Sequence, residues 1–339
     1  MIGSFRPTLT SERLVGLLLV ALCLVTGLAN PAFFSVATVF DTLRNLTVVG
    51  ILGMAVLVVM LTGGIDVSFP AIAALTSYAT IRVFIALELD GPVIAIFALA
   101  VVFGVLLGLA NGLMVALLRL PALIVTLGTS SLFYGFNLFF LGSQNLFNVP
   151  KTLVAFSRSS LLQVTDAQGR TWSLHPVILV FMGVALLVAI VLRRTVFGRS
   201  LYAIGGSRES AERIGLPVKL SETLAFVAAG ALAAIAGVVQ VIFFRNANPG
   251  AFSGAELDVI AAVVLGGVSI TGGRGTVWGA VVGLTFVVLL TSSLVVLGIP
   301  ASWQKVFVGS ALILGVGLSG WRAVRAERLS PVPYSRMQD

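Results

Sequence analysis

A single cysteine, a single histidine and only 13 acidic residues in 339 leave this chain with little of the material from which active sites are made. Cys23 stands alone inside an apolar run, which excludes an intramolecular disulfide and a thiolate metal cluster. His175 sits just before Pro176 at a helix start and reads as structural rather than as a ligand. No GxxxxGKS/T phosphate loop and no HExxH pair is present. The glycines of 272–279 lack the strand–helix unit that would make them a dinucleotide loop. Glu256 and Asp258 lie two residues apart and leave a helix in different directions, so they do not make a catalytic pair. A membrane-embedded enzyme acting on lipid-linked sugars would need acids or a metal site, and no such set stands out. The chain reads as a non-enzyme with no metal and no cofactor of its own.

What it has instead is apolar length. Hydrophobic residues make up 58% of the chain and charged residues 10%, with a mean hydropathy of +1.09, far outside the soluble range. A helix needs about 17–25 apolar residues to cross the hydrocarbon core, and its backbone groups must satisfy one another there. Apolar runs occur at 14–29, 46–61, 67–87, 93–117, 121–141, 176–192, 221–244, 257–270, 276–297 and 303–320. The expectation is an all-α, polytopic membrane protein of about ten transmembrane helices. Its parts are an N-terminal segment 1–13, a membrane domain 14–320 and a C-terminal tail 321–339. The first run, preceded by Arg6 and Arg13, is expected to stay as a membrane helix rather than be removed as a signal peptide.

The Lys and Arg distribution sets an orientation, because cations near helix ends are held on the cytoplasmic side. With the N-terminus inside, 14 of the 21 basic residues fall on the cytoplasmic face and 7 on the other, which predicts that both termini are cytoplasmic. The net charge of +8 is spread over these loops, so it reads as topogenic charge and not as a nucleic-acid surface.

Inside the runs, small residues recur at helical spacing: Gly104, Gly108 and Gly112, then Gly230 and Gly237, then Gly279 and Gly283. Such residues let helix backbones approach closely in lipid; a passage for substrate is the functional alternative. Two turns are alike, Thr62-Gly63-Gly64 and Thr271-Gly272-Gly273, and suggest an internal repeat. Asp66, an acid near membrane depth, is costly unless it caps a helix, pairs or meets water. Its place before an apolar run predicts an N-cap for the third helix. Asp66, Asn111, Thr126 and Asn137 are the candidates for a substrate path.

The segment Arg193–Leu220 interrupts the apolar pattern with a basic, amphipathic loop. Within it SRESAERIGL reads as a short helix with Ser207 as cap, Glu209 in the first turn and Gly215 near the end. The chain resembles, over nearly its whole length, the permease subunits of bacterial ATP-binding-cassette importers of the ribose, galactose, arabinose, xylose and autoinducer type. The resemblance rests on TGGIDVS at 62–68, NGLMV at 111–115, PALIVTLGT at 121–129, TVFGRSLYAIGG at 195–206, ELDVIAAVVLGG at 256–267 and SITGGRGT at 269–276, in that order. One departure is Phe69-Pro70, where the family has a small, flexible pair after GGID.

The resemblance implies an inner-membrane importer subunit for a sugar or sugar-like molecule, paired with a second permease copy, identical or related. It implies two cytoplasmic ATPase subunits that carry ATP and Mg, and a periplasmic or lipid-tethered sugar-binding protein. By that analogy the loop from Thr195 to Leu216 contains the helix that couples to the ATPase, with Ser207, Glu209, Ala211, Arg213 and Gly215 as the coupling residues and all but Ser207 as candidates for direct contact. The loops near Asp41–Arg44, Glu88–Asp90 and Arg245–Glu256 would dock the binding protein. A stand-alone carrier, or a permease for branched-chain amino acids, is the alternative.

Overall fold

The computed structural model describes residues 11–165, 169–300, 302–310, 313 and 317. Twelve helices run in chain order: α1 (Ser11–Ala29), α2 (Val36–Met60), α3 (Phe69–Ala86), α4 (Val93–Leu118), α5 (Ala122–Phe136), α6 (Lys151–Ser157), α7 (Ile178–Arg194), α8 (Val196–Gly206), α9 (Arg208–Arg213), α10 (Val218–Phe244), α11 (Glu256–Leu265) and α12 (Val277–Val296). The only strands among the described residues, β1 (Leu162–Thr165) and β2 (Thr171–Leu174), form an antiparallel hairpin. Sequence reading had no hairpin here: LQVT and TWSL do alternate, but over four residues each, too few to stand out beside the apolar runs.

By length and apolarity seven helices qualify as membrane spans, α1 to α5, α10 and α12, with α5 extended by a π turn at Asn137–Leu141. The α7–α8 pair, bent by 74°, makes an eighth if counted as one span. The expected count of ten is therefore too high for the described residues. The run at 257–270 is not one helix: α11 stops after ten residues, where Gly266 packs on the backbone of Gly279 and Gly267 turns the chain with φ +95°. The last run is helical over 302–310, and its remainder lies largely outside the described residues, as do residues 1–10 and the 321–339 tail.

Helices α2, α3 and α10 form the buried centre, and α1, α4, α5 and α7 flank it with apolar side chains turned outward. On α4 the buried positions Ile96, Ala100, Gly104, Gly108, Gly112 and Ala116 recur every four residues, while Ile94, Val102, Leu106 and Leu113 are exposed. The buried stripe lies on α10: methyl groups at Gly104, Gly108 and Gly112 would overlap the backbones of Gly230, Phe226 and Thr223. The same device seats α10 on α3, where Gly237 meets the Ala73 carbonyl, and α12 on α11, where Gly283 meets the Ala262 carbonyl. With no hydrophobic force to drive helices together in lipid, close backbone approach supplies the van der Waals contact that holds them. Helix α1 lies along α12 and is tied at both ends, by Thr276 donating to Glu12 at 2.6 Å and by Asn30 donating to the Val296 carbonyl at 2.9 Å.

His175 is structural, as its position suggests. Its Nδ1 accepts from the Val177 N–H at 3.1 Å at the start of α7, and its Nε2 lies 2.9 Å from the Phe156 carbonyl. Both bonds are made by the neutral Nε2–H tautomer, and burial lowers the imidazole pKa from its ordinary value. Gly108→Ala is expected to destabilise the folded protein by about 1–3 kcal/mol through overpacking. Gly183→Ala, with open space around its Cβ, is expected to be neutral; thermal unfolding of the detergent-solubilised protein compares the two.

Candidate functional site

Three glycine pairs from distant parts of the chain meet at one end of the bundle. Gly63-Gly64 ends α2, Gly205-Gly206 ends α8, and Gly272-Gly273 lies between α11 and α12. The Gly273 N–H donates to the Leu61 carbonyl at 3.0 Å. A Cβ on Gly272 would lie 2.5 Å from the Gly63 nitrogen and 2.8 Å from the Gly205 Cα, and one on Gly273 would lie 2.8 Å from the Gly206 nitrogen. Gly63 (φ +82°) and Gly272 (φ +87°) are also in the left-handed region, where a side chain is strained. The two look-alike turns are thus packed on each other, with α8 as a third member. Tyr202 on α8 fixes the junction by donating to the Gly275 carbonyl at 2.9 Å.

From the first of these turns the chain runs without regular structure through 64–68 to α3. Here the structure brings three of the four path candidates together. Asp66 Oδ1 accepts from both the N–H (2.7 Å) and the hydroxyl (2.6 Å) of Ser68, and the Asn111 amide donates to the Ser68 hydroxyl oxygen at 2.7 Å. The Thr126 hydroxyl donates to the carbonyls of Ala122 (2.8 Å) and Ile65 (3.1 Å), and its oxygen receives the Val67 N–H at 3.2 Å. These bonds lock irregular backbone that would otherwise leave polar groups unpaired at membrane depth. Asp66 is not the N-cap expected of it. Ser68 occupies that position and Asp66 braces the turn before it, while Pro70 sits in the first turn of α3 where its missing N–H costs little. Asn137 is elsewhere: it opens the π turn at the far end of the bundle and donates to the Pro249 carbonyl at 3.2 Å. All four side chains are buried within the single chain.

The predicted short helix is present as α9. Ser207 caps it, its hydroxyl accepting from the Ser210 N–H at 3.2 Å, and Gly215 ends it with φ +79°. Glu209 and Arg213 pair with each other at 2.5 Å and are about three-quarters exposed, with Ile214 exposed beside them. Ala211 points the other way and is buried with Ile204 and Val218, which holds α9 to the ends of α8 and α10.

Sequence reading missed Arg208 and Glu222. Arg208, the first residue of α9, pairs with Glu222 in the first turns of α10, and Glu222 is 5% exposed. The available signal was an acid just inside an apolar run and directly after a basic loop.

At the opposite end of the bundle, Asp41, Arg44, Arg158, Arg245, Trp172 and His175 line a pocket of about 520 Å³. Two of the expected docking segments therefore converge, Arg245 and Asp41–Arg44, although the latter lies inside helix α2 and is not the loop expected. The third forms a separate, smaller pocket in which Asp90 accepts from the Thr152 N–H at 3.1 Å.

The sequence pattern of a family described as branched-chain amino acid transport system / permease component matches residues 38–316. This chain belongs to that permease family. It is 33% identical over 326 residues to the autoinducer 2 import system permease protein LsrC of Klebsiella pneumoniae, covering 94% of this chain and 90% of that one. The LsrC protein of an Enterobacter species is 35% identical over 91% of this chain and 87% of its own length. That of Salmonella paratyphi B is 32% identical over 88% and 83%. No solved structure matches.

Asp66→Asn keeps the oxygen that Ser68 binds, whereas Asp66→Leu removes it from buried surroundings. The Asn variant is expected to stay close to the parent in stability and the Leu variant to lose about 1–3 kcal/mol; thermal unfolding in detergent measures both.

Proposed function

We propose that this chain is the membrane-spanning subunit of an ATP-driven importer that moves a sugar-like molecule inward across the bacterial inner membrane. The observation that carries this reading is similarity to autoinducer 2 permeases over about nine-tenths of the chain. In this reading the glycine junction and α9 face the cytoplasm, in accord with Arg193, Arg194, Arg199, Arg208 and Arg213 at that end. Both chain termini lie on the same side. ATP and Mg are bound by separate ATPase subunits, and this chain binds neither.

The exposed Glu209, Arg213, Ile214 and Gly215 on α9 are the contact for the ATPase, with Ser207 and Ala211 fixing the helix. A second permease copy completes the central path. A periplasmic or lipid-tethered binding protein docks at the end that carries the 520 Å³ pocket. The cycle is alternating access: ATP closes the ATPase pair, α9 is displaced, and the path between the two permeases opens or closes. A polar, uncharged cargo suits a protein in which buried Asp66 and Glu222 are each engaged by a neighbouring group.

Reconstitution of the chain with its ATPase and binding protein in lipid vesicles tests the reading. Uptake of autoinducer 2 that requires ATP and is not competed by leucine is the expected result. Leucine uptake would move the assignment to branched-chain amino acids, and uptake by the chain alone would make it a stand-alone carrier.

A further inference from the structure

We infer that the Arg208–Glu222 ion pair is the joint through which displacement of α9 is passed to the membrane helices; this rests on the reading of α9 as the ATPase contact. Helix α9 has six residues and no span of its own, so anything pushing on it acts only through its attachments. Besides the backbone, which joins α9 to α8 at Ser207 and to α10 through 214–217, one is the small apolar contact of Ala211 with Ile204 and Val218. The other is Arg208, whose guanidinium reaches out of α9 to Glu222 on α10. The apolar contact can slide, because dispersion has no preferred direction. The ion pair cannot, since moving Arg208 away leaves a nearly buried carboxylate without its cation.

Downstream of Glu222 the path is continuous. One residue on, Thr223 lies on α4: its hydroxyl donates to the Gly112 carbonyl at 3.4 Å, and its backbone leaves no room for a Cβ at Gly112. Next to Gly112, Asn111 holds Ser68, which holds Asp66. A shift of α10 along its axis therefore drags α4 and the irregular 64–68 segment with it. Glu222 and Arg208 also line a cavity of about 400 Å³ with Arg119, Thr62, Gly63 and Gly64. Glu222 Oε2 has no hydrogen-bond partner among the described residues, so Arg119 is a second cation within the same space if α9 shifts. The pair is a positioning device, and neither residue need touch the transported molecule.

The test uses the full complex of permease, ATPase and binding protein in lipid vesicles, with autoinducer 2 as transported probe. Glu222→Gln is expected to leave the ATPase bound and hydrolysing while autoinducer 2 moved per ATP falls about tenfold or more. Arg208→Gln, made from the more exposed side, should do the same should Glu222→Gln fail to assemble. The exchange Arg208→Glu with Glu222→Arg should recover part of the loss, which shows that the two charges act as a pair; retained ATPase binding and hydrolysis in the single variants are what a merely structural pair would not give. An unchanged ratio of transport to hydrolysis in an assembled variant overturns the joint. Replacement of 207–215 by a flexible Gly/Ser linker separates the two layers: if the linker variant still binds the ATPase and transports, the reading of α9 falls and the joint with it. If the linker variant loses the ATPase but Glu222→Gln transports normally, only the joint falls.

Discussion

Close packing of one backbone on another, allowed by glycine, is the constraint on which the rest of this structure depends. In water, a helix bundle gains stability by removing apolar side chains from solvent; in lipid that gain is absent, and contact area between backbones must stand in for it. The stripe Gly104, Gly108 and Gly112 meets Phe226, Thr223 and Gly230 with no side chain between. Gly237 repeats the arrangement against α3, and Gly266, Gly279 and Gly283 repeat it between α11 and α12. Contacts of this kind leave almost no slack. Helices so joined move together or not at all, because sliding by a fraction of a residue drives a carbonyl into a Cα.

The junction of Gly63, Gly205, Gly272 and their neighbours applies the same rule outside the helices. Three chain reversals are packed closely enough for Gly273 to hydrogen-bond Leu61 directly. A turn inside a membrane protein is expensive because its free N–H and C=O groups need partners; here part of that need is met by one turn bonding to another. Asp66 and Thr126 perform the service for the irregular 64–68 segment. The irregular backbone at this end is thus held by specific polar bonds, and the regular helices chiefly by shape.

Much of this was legible in the sequence, for physical reasons that also mark where legibility stopped. Long apolar runs are demanded by the bilayer, so α3, α4, α10 and α12 lie close to where the runs placed them, whereas α2 begins at Val36, well before the run at 46–61. Apolarity does not encode helix length, however, and the run at 257–270 concealed a stop at Gly266-Gly267 that only packing against α12 explains. The short helix α9 was readable because Ser207 and Gly215 are end signals that act locally. The likeness of the two Gly-Gly turns was visible, but their contact was not, since about 200 residues separate them in the chain. Of the polar path residues, Asn111 and Thr126 gave no hint in sequence that they would meet Asp66. Asn137 gave none that it would not.

A six-residue helix is too short to be stable by itself, and this bears on how α9 works. Its shape is imposed by the Ser207 cap, by Gly215 and by the burial of Ala211, so it has no independent fold to lose when pushed. Under the proposed coupling, a push on α9 would pass to α8 and α10, to which it is joined at its two ends. On its outer side Glu209 and Arg213 bond to each other and present a surface that carries both signs of charge beside exposed Ile214. Such a surface binds by complementarity of shape and charge without a large apolar patch that would aggregate in the absence of its partner. Weak internal structure and firm attachment are therefore compatible demands, and α9 meets both with one buried alanine and one ion pair.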